Sequence, residues 1–258
     1  MNKKVYFTND SSLSKIWNYF PLHQGDLFHY TTQEAAQSIQ TNNELFLTRS
    51  DFFLDKLEVK YGIDLLMNEA TKYLKPEYLS LFENFISEID QLRNCLYVIC
   101  FTQMKNSTKH KKVYGESILQ FSETFTTYTL AGTGNHSLKV SKNSYRMYHA
   151  CDLYQSLEGF VIYEPLEQVK LARLIVEKFE DYQQNVTNLT NVHHLNKILL
   201  KYVLLTKQPS FAWEREFRFG FYSIHDYDSL FEENTGNGKV FIRIKHPPIE
   251  IKNRLNKI

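Results

Sequence analysis

Apolar positions along the chain switch between two spacings, and each switch marks an element. Leu27 to Tyr30 is a short apolar and aromatic run that predicts a strand. Thr32 stands where a helix N-cap belongs, ahead of a short helix over Glu34 to Ile39. Asn42 and Asn43 predict a turn into a second strand, Glu44 to Thr48. From Asp55 to Leu74 the residues Leu57, Tyr61, Leu65 and Leu66 recur at three- and four-residue steps, the spacing of one helix face. Pro76 opens a second helix, in which Leu79, Phe82, Phe85, Ile86, Ile89 and Leu92 share a face.

The run Cys95 to Phe101 is short and continuously apolar, which predicts a strand buried on both faces. Lys105 to Lys112 reads as a basic polar loop. Ser117 to Phe121 and Gly159 to Tyr163 predict strands, and Pro165 to Glu180 and His194 to Thr206 predict helices. Trp213 to Tyr222 and Lys239 to Lys245 alternate, with Gly236-Asn237-Gly238 as the turn between them. The order lacks the βαβ rhythm of a doubly wound sheet, and neither GxGxxG nor a P-loop is present. The expected fold is α+β with a mixed, largely antiparallel sheet. With no repeat and no linker-like stretch, one domain over 1–258 is expected, its core at about 27–245 and a helical insertion at about 55–93.

Composition changes this picture only in part. A chain of 258 residues that is 43% hydrophobic can bury a sizeable core. Its aromatics, 17 Tyr and 19 Phe, leave rings to spare for a binding surface. Thirty basic against 29 acidic residues give a net charge of +1, which argues against a dedicated binder of long polyanions. A small nucleotide or a protein partner fits that balance better, and a local basic site stays open. Cys95, Cys100 and Cys151 have no zinc-site spacing and read as reduced core thiols. The polar N-terminal stretch lacks a signal-peptide core and no run approaches a membrane span, so a cytoplasmic protein with no membrane partner is expected.

Three segments carry candidate chemistry. In a strand over Leu27–Thr31, His29 and Thr31 share one face and Phe28 and Tyr30 the other. His29 and Thr31 there could hold a ribose hydroxyl, or His29 could be a half-buried side chain at a sheet edge. In a strand over Trp213–Phe219, Glu214, Glu216 and Arg218 share one side. Two carboxylates on one face repel unless a cation such as Arg218 intervenes, a cost more typical of a site than of packing. Thr102 and Gln103 end the buried strand, and a loop with Lys105, Lys109, His110, Lys111 and Lys112 follows, its lysines either steering a phosphate or forming a solvated face. Asp55 and Glu58 fall on one face of the following helix, with Asp55 also a plausible cap. His193-His194 lacks acidic companions at ligand spacing, so no metal is expected.

Together these segments resemble the bacterial domain-of-unknown-function family 2971. The similarity covers roughly Leu27 to Phe221. It rests on the early His29-Tyr30 strand, on Phe53, Asp55 and Glu58, on Cys100-Phe101-Thr102 with Tyr114-Gly115, and on Lys207, Glu214, Glu216 and Arg218. That family is distantly similar to the ADP-ribosyltransferase superfamily, which implies a sheet core of that type and NAD as substrate. The resemblance implies a ribose contact at His29, a stacking aromatic at Tyr114 and a catalytic carboxylate at Glu216, with Glu214 orienting an acceptor. Tyr30, Thr31, Thr102 and Arg218 complete the implied nucleotide contacts. The Ser-Thr-Ser element of one branch is not matched, since this chain has Thr102-Gln103. Whether the acceptor is protein or nucleic acid stays undetermined. Two other readings stand beside transfer: a non-catalytic nucleotide sensor in a bacterial defence or effector system, and an RNA-directed protein using the lysine segment.

Overall fold

The computed structural model describes residues 16, 19–20, 25–42, 44–53, 58–91, 96–121, 135–141, 144–149, 154–184, 189–223, 233–234 and 239–245. Most elements lie where the hydrophobic spacing puts them. These are β1 (Leu27–Thr31), α1 (Gln33–Asn42), β2 (Glu44–Arg49), α2 (Glu58–Tyr73), α3 (Pro76–Gln91) and β3 (Leu96–Thr102). Thr32 caps α1, its Oγ1 accepting from the Ala35 N–H at 3.3 Å. Asp55, Cys95, Cys151 and the 236–238 turn lie outside the described residues, as do the side chains of His193 and His194.

The lysine segment departs from expectation. It contains α4 (Thr108–Tyr114), because Ser107 caps it: Ser107 Oγ accepts from the His110 N–H at 3.3 Å. β4 (Ser117–Phe121) follows as expected, and then a hairpin of β5 (Asn135–Ser141) and β6 (Ser144–His149) that apolar spacing did not signal. β7 spans Tyr154–Phe160, earlier than the predicted 159–163, and Ile162 instead makes a lone parallel bridge to Thr206. α5 (Pro165–Gln184) and α6 (Leu189–Leu205) come next. The predicted strand at 213–222 is divided. A 3₁₀ turn covers Pro209–Glu214, Arg215 takes a left-handed φ of 44°, and β8 (Glu216–Ser223) begins only after it. β9 (Glu233–Asn234) and β10 (Val240–Lys245) close the described chain.

Two compact units divide the chain: Met1–Leu22, Leu57–Gln91 and Ile162–Pro209 form one, and His23–Lys56, Leu92–Val161 and Ser210–Ile258 the other. The first is helical. Phe82, Phe85 and Phe179 pack ring on ring at 4.9 and 5.6 Å. Gln168, fully buried, ties the main chain: its Nε2 donates to the carbonyls of Ile162 and Lys207, and its Oε1 accepts from the Tyr61 hydroxyl. Lys207 and Glu58, both implied motif residues, meet there at 3.1 Å. Among the described residues no helix is long and apolar enough to cross a membrane.

The second unit is built on a sheet of order β4-β1-β3-β2-β10-β9, with β8 also on β3 and β7 on β8. Its strand pairings are antiparallel throughout. Leu27, Leu47, Tyr97, Phe101, Phe121, Phe217 and Phe219 are buried together on one face, with Ala36 and Ile39 of α1 in the same core. Each buried leucine, isoleucine or phenylalanine there stabilises by about 1.5–3 kcal/mol.

One edge of β3 pairs along its length with β8. The other edge is shared: Tyr97 and Val98 pair with β2, and Thr102 alone pairs with β1. The sheet therefore forks at the C-terminal half of β3. His29 enters that fork, its Nδ1–H donating to the Cys100 carbonyl at 2.9 Å.

Candidate functional site

Register decides which side chains share a face. Phe28 pairs with Thr102, and Thr102 with Glu216, so all three face the same way, and alternation adds Tyr30 and Arg218. His29 and Thr31 point to the core side, where the His29 ring lies 5.7 Å from Phe101. The sheet thus separates His29 from Glu216 and Thr102. Burial lowers the His29 pKa, partly offset by the bond to the Cys100 carbonyl. Thr31 contributes through packing, since a Cβ on Gly115 would meet its carbonyl oxygen at 2.3 Å, and Gly115 sits at φ 125°. Only glycine lets the end of α4 approach β1 this closely.

On the opposite face a polar cluster closes around the main chain of Glu214. Thr102 Oγ1 donates to the Glu214 carbonyl at 2.6 Å and accepts from the Met104 N–H at 3.1 Å. His110 Nε2–H donates to the same carbonyl at 3.1 Å. A carbonyl can only accept, so that nitrogen carries the proton and Nδ1 takes the Ser107 hydroxyl at 2.7 Å. The imidazole lies between two rings, stacked on Tyr30 at 5.0 Å and edge-on to Trp213 at 5.0 Å. Burial lowers its pKa, with the Glu214 carbonyl and carboxylate opposing and Lys109 adding to the shift. Tyr30 fixes the approach to α4, its hydroxyl donating to the Met104 carbonyl and accepting from the Ser107 N–H, each at 2.8 Å. Burial raises its pKa, and hydrogen bonds from the Ser107 and Asn106 main chain oppose the shift.

The two carboxylates are held separately. Tyr114 Oη donates to Glu214 Oε1 at 2.8 Å. Arg218 donates to Glu216 Oε2 from Nε at 3.1 Å and from Nη2 at 2.7 Å. Burial pushes the Arg218 guanidinium down to about 9, which leaves it charged at neutral pH beside Glu216. Glu214 does not share a strand with Glu216, because the left-handed Arg215 turns the chain between them. Such a conformation costs a non-glycine residue about 1–2 kcal/mol and is characteristic of sites that the surrounding bonds over-determine.

Of the residues singled out in the sequence, Tyr30, Thr102, Tyr114, Glu214, Glu216 and Arg218 come together, and His29 and Thr31 do not join them. His110, Ser107 and Trp213 complete the cluster without having been singled out for it. The signal was present in Ser107, three residues ahead of His110, as a helix cap, but the surrounding lysines masked it. Among the described residues no group of three or more His, Cys, Asp or Glu could hold a metal ion. No protein-family model matches the chain, and no curated protein and no solved structure matches it.

Proposed function

We propose that this chain binds a nucleotide and acts on NAD by ADP-ribosyltransferase-like chemistry in the cytoplasm, centred on Glu216 and Glu214. The observation that carries the reading is the meeting of Thr102, Tyr114, Glu214, Glu216 and Arg218, from three separated segments, at one end of the sheet. Breaking the glycosidic bond of NAD sends the bonding electron pair out with nicotinamide and leaves positive charge on the ribose carbon. A carboxylate at Glu216 stabilises that charge and holds the 2′-hydroxyl. Glu214 accepts the proton of the attacking nucleophile. In this scheme the imidazole on the carboxylate side is His110 rather than His29, and His29 serves the sheet fork.

A second reading has its own support. Glu214 and Glu216 are only 3% and 7% exposed, and each already has a partner. That favours a nucleotide sensor that binds and does not turn over. Incubation with NAD decides, following nicotinamide release and calorimetric binding for wild type and Glu216→Gln. Release abolished in the variant supports transfer or hydrolysis. Saturable binding without release or ADP-ribosylated product selects the sensor. Neither binding nor release ends the nucleotide reading.

A further inference from the structure

Basic side chains on the surface fall into two groups. On the long helices Lys60, Lys72, Lys75, Lys170, Arg173 and Lys178 each pair with a carboxylate, as Lys111 of α4 does with Glu116 at 4.0 Å. Lys105, Lys109, Lys112 and Arg215 are exposed and have no carboxylate partner among the described residues. Those four are gathered at one place. Lys105 lies in the turn before α4, and Lys109 and Lys112 stand three residues apart on one face of that helix. Arg215 follows Glu214, whose carbonyl is held by His110 of the same helix.

Like charges so placed repel one another, and in a chain of net charge +1 nothing about solubility requires them. Aromatic rings are interleaved with them. The Lys109 ammonium sits 3.7 Å above the Trp213 ring, and the Lys105 ammonium 5.8 Å from that of Phe28. Tyr114 is 38% exposed at the end of α4. Cations without carboxylate partners match a string of phosphates, and the half-buried Trp213 ring, once Lys109 turns from it to a phosphate, and the exposed Tyr114 ring match unstacked bases. An acidic peptide would use the cations and leave the rings without a role.

We propose that α4, Trp213 and Arg215 form a surface for single-stranded nucleic acid. The lysines and Arg215 contact phosphates, and Trp213 and Tyr114 stack bases next to Glu214. The inference goes beyond the NAD reading and stands apart from it, because its readout is binding alone.

The test is fluorescence anisotropy of the full chain with labelled single strands of about ten nucleotides, RNA and DNA in separate arms, at rising salt. Saturable binding is expected at low salt. Its logarithm should fall with log salt at a slope on the order of −2 to −3, from about 0.7 per phosphate contacted. Lys109→Ala/Lys112→Ala should make that slope shallower by about 1.4 and weaken binding about tenfold or more. Trp213→Leu should weaken binding about tenfold and leave the slope alone. Equal loss in the two arms assigns single strands in general, and a preference names RNA or DNA. The proposal is overturned by absent binding at low salt, or by the double lysine variant binding as wild type does. It is equally overturned if duplex or polyglutamate competes as well as the single strand, which would mark a surface for polyanions at large. The lysines are exposed, so that variant reports on binding even if the Trp213 change disturbs His110.

Discussion

Lys207 and Glu58 in the helical unit meet at 3.1 Å with side chains 7% and 10% exposed; Arg218 and Glu216 in the sheet unit meet through two hydrogen bonds at 1% and 9%. The helical pair stands beside Gln168, whose bonds all serve main chain or tyrosine and so hold a chain that re-enters the unit at Ile162 and leaves it just past Lys207. The sheet pair stands one strand position from Thr102 and two residues from a second buried carboxylate, with a left-handed residue between. Buried polar groups that only tie main chain can be arranged without strain. Carboxylates, imidazole and strained backbone concentrate at α4, the 3₁₀ turn and the start of β8, a cost more typical of a site than of scaffolding.

The largest effect should come from breaking the sheet pair. Arg218→Ala leaves Glu216 buried without its cation and should cost about 3–5 kcal/mol in denaturant unfolding. Lys207→Ala should cost less, its ion pair with Glu58 being longer and slightly more open. The reverse order would mean that the helical pair, not the sheet pair, is the tighter one. The two glycines extend the contrast. Gly115→Ala places a methyl against the Thr31 carbonyl at a positive φ and should cost about 3 kcal/mol or more. Gly62→Ala meets the Val203 Cα at 3.0 Å but gains helix propensity of about 1 kcal/mol, so a net loss of about 1 kcal/mol is expected. Comparable losses at the two positions would show that φ, rather than contact alone, has been given too much weight.

Acid should act next. Burial holds His29 and His110 below the ordinary imidazole value of 6.5. Below that pH the unfolded chain binds more protons than the folded one. Their contribution to stability is therefore complete above 6.5 and is lost as pH falls toward the folded-state values. Unfolding midpoints taken by Trp213 fluorescence, in a Trp17→Phe background, should drop between neutral and mildly acidic pH. His29→Gln and His110→Gln should each flatten that drop, and a variant that keeps the full slope would clear its histidine of the effect. The smallest effect separates the two kinds of lysine. Lys60→Ala removes an exposed i,i+4 pair with Asp64 and should cost at most about 0.5 kcal/mol. Lys112→Ala removes a cation without a carboxylate partner and should leave unfolding unchanged or slightly improved.

Much of the fold was legible in the chain, because apolar spacing is a local property. The helical face of Leu79, Phe82 and Ile86 and the unbroken run into Phe101 each announce their element without help from elsewhere. The alternation at 213–222 misled for a related reason. Glu214, Glu216 and Arg218 keep period two in sequence, but Arg215 breaks the strand before Glu216, and nothing in the spacing marks a left-handed arginine. His110 was hidden among lysines that face solvent while it alone of that run is buried.

The sequence by itself determined most of the elements and an α+β class with a largely antiparallel sheet, and it marked Glu214, Glu216 and Arg218 as an arrangement costly for packing alone. The tertiary structure alone decided that β3 forks, that His29 fills the fork on the side away from Glu216, and that His110 and Thr102 share one carbonyl more than a hundred residues away in the chain. Hydrophobic periodicity acts between neighbours in sequence. Register, face and hydrogen-bond partnership act between neighbours in space, and only the folded chain brings those together.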